Sequence, residues 1–194
     1  MIQFRKGIFE TNSSSCHTLV IQKDSWYDNH CVDDTPYIVE GGYYGRCPQV
    51  PLESTEEKLN YIWTMVNDLW GYEFKSYTDE RGNWIEEADR EVQYRDFKKF
   101  NQWEANLQEM FPNTKFIPIM PGDWEKGIDH AYELENFADS IEVHPELLKY
   151  LLFSYSWIDI SGDESANWPE ILSYPYGELI GIKGGYVILY VKGN

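Results

Sequence analysis

Glu178-Leu179-Ile180-Gly181-Ile182-Lys183-Gly184-Gly185-Tyr186-Val187-Ile188-Leu189-Tyr190-Val191 holds two β-branched, apolar runs on either side of a glycine pair. Glycine reaches the positive φ values that tight hairpin turns require, so the stretch predicts a hairpin turning at Gly184-Gly185. Within it Ile180, Ile182, Val187 and Leu189 alternate with other residues, which marks one face of a sheet that must be covered. Two strands cannot bury that face alone. The matching run is at the other end of the chain, in Cys16-His17-Thr18-Leu19-Val20-Ile21, where Leu19 and Ile21 alternate in the same way. N- and C-terminal strands are therefore expected in one mixed or antiparallel sheet.

The middle of the chain reads as helical. Ser54-Thr55-Glu56-Glu57 fits a capping box, followed by Leu59, Ile62, Met65, Val66, Leu69 and Trp70 at helical spacing. A second helix is expected over 91–110, with Phe100, Trp103, Leu107 and Met110 on one face and Pro112 ending it. His144-Pro145 opens a third, running to Phe153, with proline at its first position. Lys115–Ile119 reads as a short edge strand because of Pro118, and Trp157–Ile160 as another strand. Residues 24–53 and 72–90, rich in Gly, Pro and polar side chains, read as long loops. The expected class is α+β: a single domain over 1–194, about three helices packed on one sheet.

Composition narrows the function. The chain has 194 residues and a net charge of −17, and residues 101–182 hold 15 acidic residues against Lys115, Lys126 and Lys149. A field of that sign disfavours direct contact with nucleic acid or an anionic membrane and suits a basic protein partner. No apolar leader or run long enough to span a membrane occurs, and three cysteines fit a reducing compartment, so a cytoplasmic location is expected. Neither Cys16-His17 nor His30-Cys31 suggests a metal: neighbouring strand residues face opposite ways, and no C-x-x-C spacing exists. No cofactor is implied. Aromatic residues make up 16% of the chain, enough to furnish both a core and a recognition surface.

One stretch is too polar for core yet leads directly into a strand: Arg5-Lys6-Gly7-Ile8-Phe9-Glu10-Thr11-Asn12-Ser13-Ser14-Ser15-Cys16-His17. It resembles a family of uncharacterised bacteriophage and phage-derived bacterial proteins whose N-termini carry Phe-Glu-Thr-Asn-Ser-Ser-Ser-x-His. Gly127-Ile128-Asp129-His130 is similar to an Ile-Asp-His signature of that family, and Leu147–Glu164 resembles its later segment. Cys16 stands where the family has Ser or Thr, and Glu164 where it has Asn. The resemblance implies a phage-type setting, a host-cell cytosol, and no particular reaction.

The residues themselves leave two functions open. In the first, the chain is an accessory protein that binds and inhibits or redirects a basic host protein, a nucleic-acid-binding one among the candidates. Its acidic surface would act as a partial nucleic-acid mimic through Glu133, Glu135, Asp139, Glu142 and Glu146. Four-residue helical spacing sets carboxylates roughly 6 Å apart along the axis. That is sparser than the ~3.4 Å phosphate step of one strand, so the mimicry is partial. In the second, Arg5, Glu10, Asn12, Ser13, Ser14, Ser15 and Asp163 bind a nucleotide or phosphoester. His17 and His130 are then the proton-transfer candidates and Asp129 an orienting carboxylate. The same Asn and Ser side chains also serve as ordinary turn caps.

Overall fold

The structure, a computed structural model, describes residues 15–22, 35–45, 51–128, 138–139, 141–142, 145–153, 156–162, 179–183 and 186–192. In chain order these form β1 (Ser15–Gln22), β2 (Ile38–Val39), β3 (Tyr43–Tyr44), α1 (Thr55–Trp70), β4 (Tyr72–Phe74), β5 (Val92–Tyr94), α2 (Phe97–Met110), β6 (Lys115–Phe116), β7 (Gly127–Ile128), α3 (Glu146–Phe153), β8 (Trp157–Gly162), β9 (Leu179–Lys183) and β10 (Tyr186–Lys192). The fold is α+β; among the described residues α1, α2 and α3 are its full helices, and 138–139 and 141–142 are also helical. Contacts within the chain group it into two compact units, the first drawn from 1–32, 44–59 and 129–194, the second from 33–43 and 60–128.

The first unit is built on a four-stranded antiparallel sheet ordered β8-β1-β10-β9. The terminal strands share it as expected: Leu19 stands opposite Leu189 on one side and Ile158 on the other, and Ile21 opposite Val187. Strands β9 and β10 pair antiparallel from Lys183 and Tyr186 outward. Ile180 and Gly181 together face Ile188, a bulge that interrupts the simple alternation read from the sequence. Leu52 exchanges backbone hydrogen bonds of 2.7 and 3.0 Å with Ile158 and so extends the sheet beyond β8. Helix α3 lies against β1 and buries Leu148, Leu151 and Leu152.

The capping box at the start of α1 is formed in full. Glu57 N–H donates to Ser54 Oγ at 3.2 Å, and the Glu57 carboxylate accepts from Ser54 N–H at 3.0 Å. The hydrogen bonds from Ser54 hold the Glu57 carboxyl below its usual value. Two residues of this turn then satisfy carbonyls of the following chain: Thr55 Oγ1 donates to Leu152 C=O in the last turn of α3 and Lys58 Nζ to Ser156 C=O just before β8, at 3.0 and 2.9 Å.

In the second unit the part of α1 from Asn60 onward is the central element. Ile62, Trp63, Met65, Val66 and Trp70 are buried, joined by Phe100, Trp103 and Leu107 of α2 and by Phe111, Phe116 and Ile119. Trp63 packs on Phe100 and Phe116 at centroid distances of 5.3 and 5.0 Å, and its indole N–H donates to Ile117 C=O at 2.7 Å. Helix α2 starts later than its pattern suggested, at Phe97, because Asp96 caps it by accepting from Lys98 and Lys99 N–H, and the preceding Val92–Tyr94 is strand. Of the expected edge strand only Lys115–Phe116 is strand, pairing parallel with β2.

Asn60, Thr64, Asn67 and Asp68 recur on one face of α1, and each accepts a hydrogen bond from backbone N–H outside the helix. Asn60 Oδ1 accepts from Glu40 and Gly41 N–H, Thr64 Oγ1 from Gly42 N–H, Asn67 Oδ1 from Ile119 N–H and Asp68 Oδ2 from Ile128 N–H. Irregular backbone is thereby held beside a helix without orphaned donors. Gly41 is required here: its φ is +78°, and an added Cβ would stand 2.6 Å from Ile119 Cδ1 and 2.8 Å from Thr64 Oγ1. Among the described residues no helix is long and apolar enough to cross a membrane.

Candidate interaction surface

The stretch 72–94 is a folded arm. Strands β4 and β5 pair antiparallel in the register Tyr72–Tyr94, Glu73–Gln93 and Phe74–Val92. Lys75 N–H donates to Glu91 C=O and Ile85 N–H to Tyr77 C=O, and Thr78 bridges Trp84. The tip is Asp79-Glu80-Arg81-Gly82-Asn83. The Asp79 carboxylate accepts from Arg81 N–H, Asn83 N–H and the Asn83 amide at 2.8 to 3.0 Å, which holds that carboxyl low. Gly82, at φ +80°, supplies the left-handed residue that turns the chain back.

The foot of the arm is tied to the helices. Arg95 N–H donates to Gly71 C=O, Asp96 N–H to Trp70 C=O, and the Arg95 guanidinium to Asp68 C=O, while Arg95 also pairs with Glu73 at 3.2 Å. Tyr94 and Tyr72 join hydroxyls at 2.8 Å, and Tyr94 meets Phe97 and Phe100 at 4.8 and 5.2 Å. Burial, with the Tyr72 hydrogen bond, pushes the Tyr94 phenol up to about 12.

Further out the rings leave the core. Phe74, Tyr77 and Trp84 form an edge-to-face series at 6.3 Å steps. Arg90 lies over two of them, 5.0 Å from the Phe74 centroid and 4.5 Å from that of Tyr77, with its Nε–H bonded to Ile85 C=O at 3.1 Å. Tyr77 is 55% exposed and Trp84 77%. A series of adjoining exposed rings, unlike a single exposed apolar side chain, marks a candidate contact surface.

The residues singled out from the sequence are placed unevenly. Ser15 opens β1 opposite Gly162, and His17 stands between Val191 and Ile160. Asp139 and Glu142 are exposed helical residues, and Glu146 begins α3. Arg5, Glu10, Asn12, Ser13, Ser14, Asp129, His130, Glu133, Glu135 and Asp163 lie outside the described residues, as does the Gly184-Gly185 turn. Tyr77, Trp84 and Arg90, by contrast, fall in what reads as a polar loop. Aromatic and β-branched pairs on either side of Asp79–Asn83 are the hairpin signal that marks them.

Lys58 and Asp68 are among the groups outside the arm that burial displaces. The Lys58 ammonium, 1% exposed, is pulled down to about 8. Its bond to Ser156 C=O gives it a structural role, tying the first turn of α1 to the residue that precedes β8. The Asp68 carboxyl is pushed up to about 6 by burial, against the opposing pull of Ile128 N–H and Arg95. Among the described residues no group of three or more His, Cys, Asp or Glu side chains is arranged to hold a metal. No protein-family model, curated protein or solved structure matches the chain.

Proposed function

We propose that this protein acts by binding another protein: a phage-type accessory factor that engages a basic host protein and inhibits or redirects it. The observation that carries the reading is the arm, where Tyr77 and Trp84 are exposed beside an Arg90 fixed between rings. Trp, Tyr and Arg are the side chains that dominate protein–protein hot spots. The −17 charge selects the sign of the partner, and exposed Asp139 and Glu142 belong to the same acidic half of the chain. The opening motif's resemblance to phage proteins supplies the setting.

Affinity capture from a bacterial lysate tests this, with an unrelated protein of equal negative charge as the control bait. Basic proteins should be retained specifically at 0.1 M salt and released toward 1 M, as the screening length falls from about 10 Å to about 3 Å. Retention no different from the control bait would defeat the reading. So would native mass spectra showing a co-purified nucleotide with no protein partner, which would favour a phosphate site in the Arg5–His17 loop.

A further inference from the structure

The arm carries its own demonstration of what it can bind. Arg90 rests over the Phe74 and Tyr77 rings at cation–π distances, and its Nε–H bond to Ile85 keeps it there. Trp84 is the next ring in the same series and the best cation acceptor of the aromatic side chains. Among the described residues no cation lies over it. The ring series therefore offers one occupied guanidinium position and one exposed face beyond it.

Charge on the arm favours the same visitor. Residues 75–91 hold six acids (Asp79, Glu80, Glu86, Glu87, Asp89 and Glu91) against Lys75, Arg81 and Arg90, a net −3. Lys75 is also paired with Glu91 at 2.6 Å. Nucleic acid is repelled by that balance. A second copy of the chain is also disfavoured, since it would bring another −17 against the first. What suits an exposed indole amid carboxylates is an arginine- or lysine-rich protein segment.

We propose that the Tyr77–Trp84 face of the arm is the docking site for a basic segment of the partner protein, with a partner arginine stacked on Trp84 and the arm's carboxylates holding the neighbouring positive charge. This rests on the protein-binding reading above and names the surface and the chemistry it recognises. The site is preorganised: Asp79 fixes the tip, Arg90 braces the rings, and Arg95 anchors the foot. Little conformational freedom is left to lose on binding.

The test is selection of a random peptide library on the intact protein, followed by affinity measurements on the selected peptides. Trp84→Ala and Tyr77→Ala are the test variants, and Trp124→Ala is the control, because Trp124 is 82% exposed in a different loop. Selected peptides should be arginine-rich and should bind Trp84→Ala about tenfold or more weakly, with unchanged affinity for Trp124→Ala. Circular dichroism confirms that each variant is folded. Basic, salt-sensitive peptides indifferent to Trp84 and Tyr77 would overturn this docking site while leaving the protein-binding reading intact. A selection with no basic peptides would overturn both. Self-association that disappears in Trp84→Ala, seen by sedimentation, would make the occupant a second copy and overturn the proposal.

Discussion

Around Trp63 the aromatic rings are sealed; around Trp84 the same residue types stand in solvent. Both clusters belong to one compact unit, and each is a chain of ring contacts 5 to 6.3 Å apart. They differ in what surrounds them. Trp63 lies on a helix whose apolar face meets α2, with its N–H satisfied by Ile117. Trp84 lies in the outer part of a hairpin, where Tyr77 is its ring partner and the backbone hydrogen bonds run between the two sides of the arm. Aromatic content alone therefore says nothing of purpose. The layer beneath the ring decides whether it serves stability or recognition.

The largest effect that can break this contrast is on unfolding free energy. Trp63→Ala should lower it by about 3–5 kcal/mol, because a buried indole leaves a cavity the surrounding rings cannot fill. Trp84→Ala should change it by no more than about 0.5 kcal/mol. Urea titrations of the two variants decide. A Trp84→Ala cost that approached the Trp63→Ala cost would mean the arm is part of the core, and its exposed rings would lose their functional reading.

The contrast was only half legible in the sequence. Alternation in Leu19, Ile21, Val187 and Leu189 correctly joined the chain ends in one sheet, and Ser54–Glu57 correctly opened α1. Both are short-range patterns read against a fixed period. The arm was hidden because its two-residue aromatic pairs are diluted by charge, and its strands β4 and β5 have three residues each. The polar stripe of α1 was hidden for another reason. Asn60, Thr64 and Asn67 look like surface helix residues until their partners, Glu40, Gly41, Gly42 and Ile119, are known. The carboxylates and hydroxyls read as a phosphate site fall mostly outside the described residues.

A middle-sized effect sharpens the boundary between the regions. Asp68 belongs to α1, and Arg95, at the foot of the arm, donates to its backbone carbonyl. Its carboxyl binds a proton more tightly when folded, at about 6 against 3.8 unperturbed. A raised carboxyl value means the folded state gains from protonation: that stability is present below about pH 4 and is lost as the pH climbs through about 6. Asp68→Asn keeps an acceptor for Ile128 N–H and removes the buried charge. It should raise stability at pH 7 by roughly 1–3 kcal/mol and by only about 0.5 kcal/mol at pH 4. Thermal melts at the two pH values read this directly. An equal shift at both would place the cause in packing and not in the charge.

The smallest effect is confined to the arm tip, and it tests whether the arm opens independently of the core. Gly82 has φ +80° with open space where a Cβ would stand, so Gly82→Ala adds backbone strain and no clash. The cost should be about 1 kcal/mol, and Gly82→Asn should recover part of it because asparagine tolerates the left-handed region. Strain at the tip should loosen the local ladder first. Amide exchange at Lys75, Asp79 and Ile85, which donate to Glu91, Asn83 and Tyr77, should quicken in Gly82→Ala. Exchange at Ile119, held by Asn67 beside Trp63, should be unmoved. If Ile119 speeds up in step with the arm amides, the two ring clusters open together. Trp84 would then be presented by the whole unit, not by a separately ordered arm.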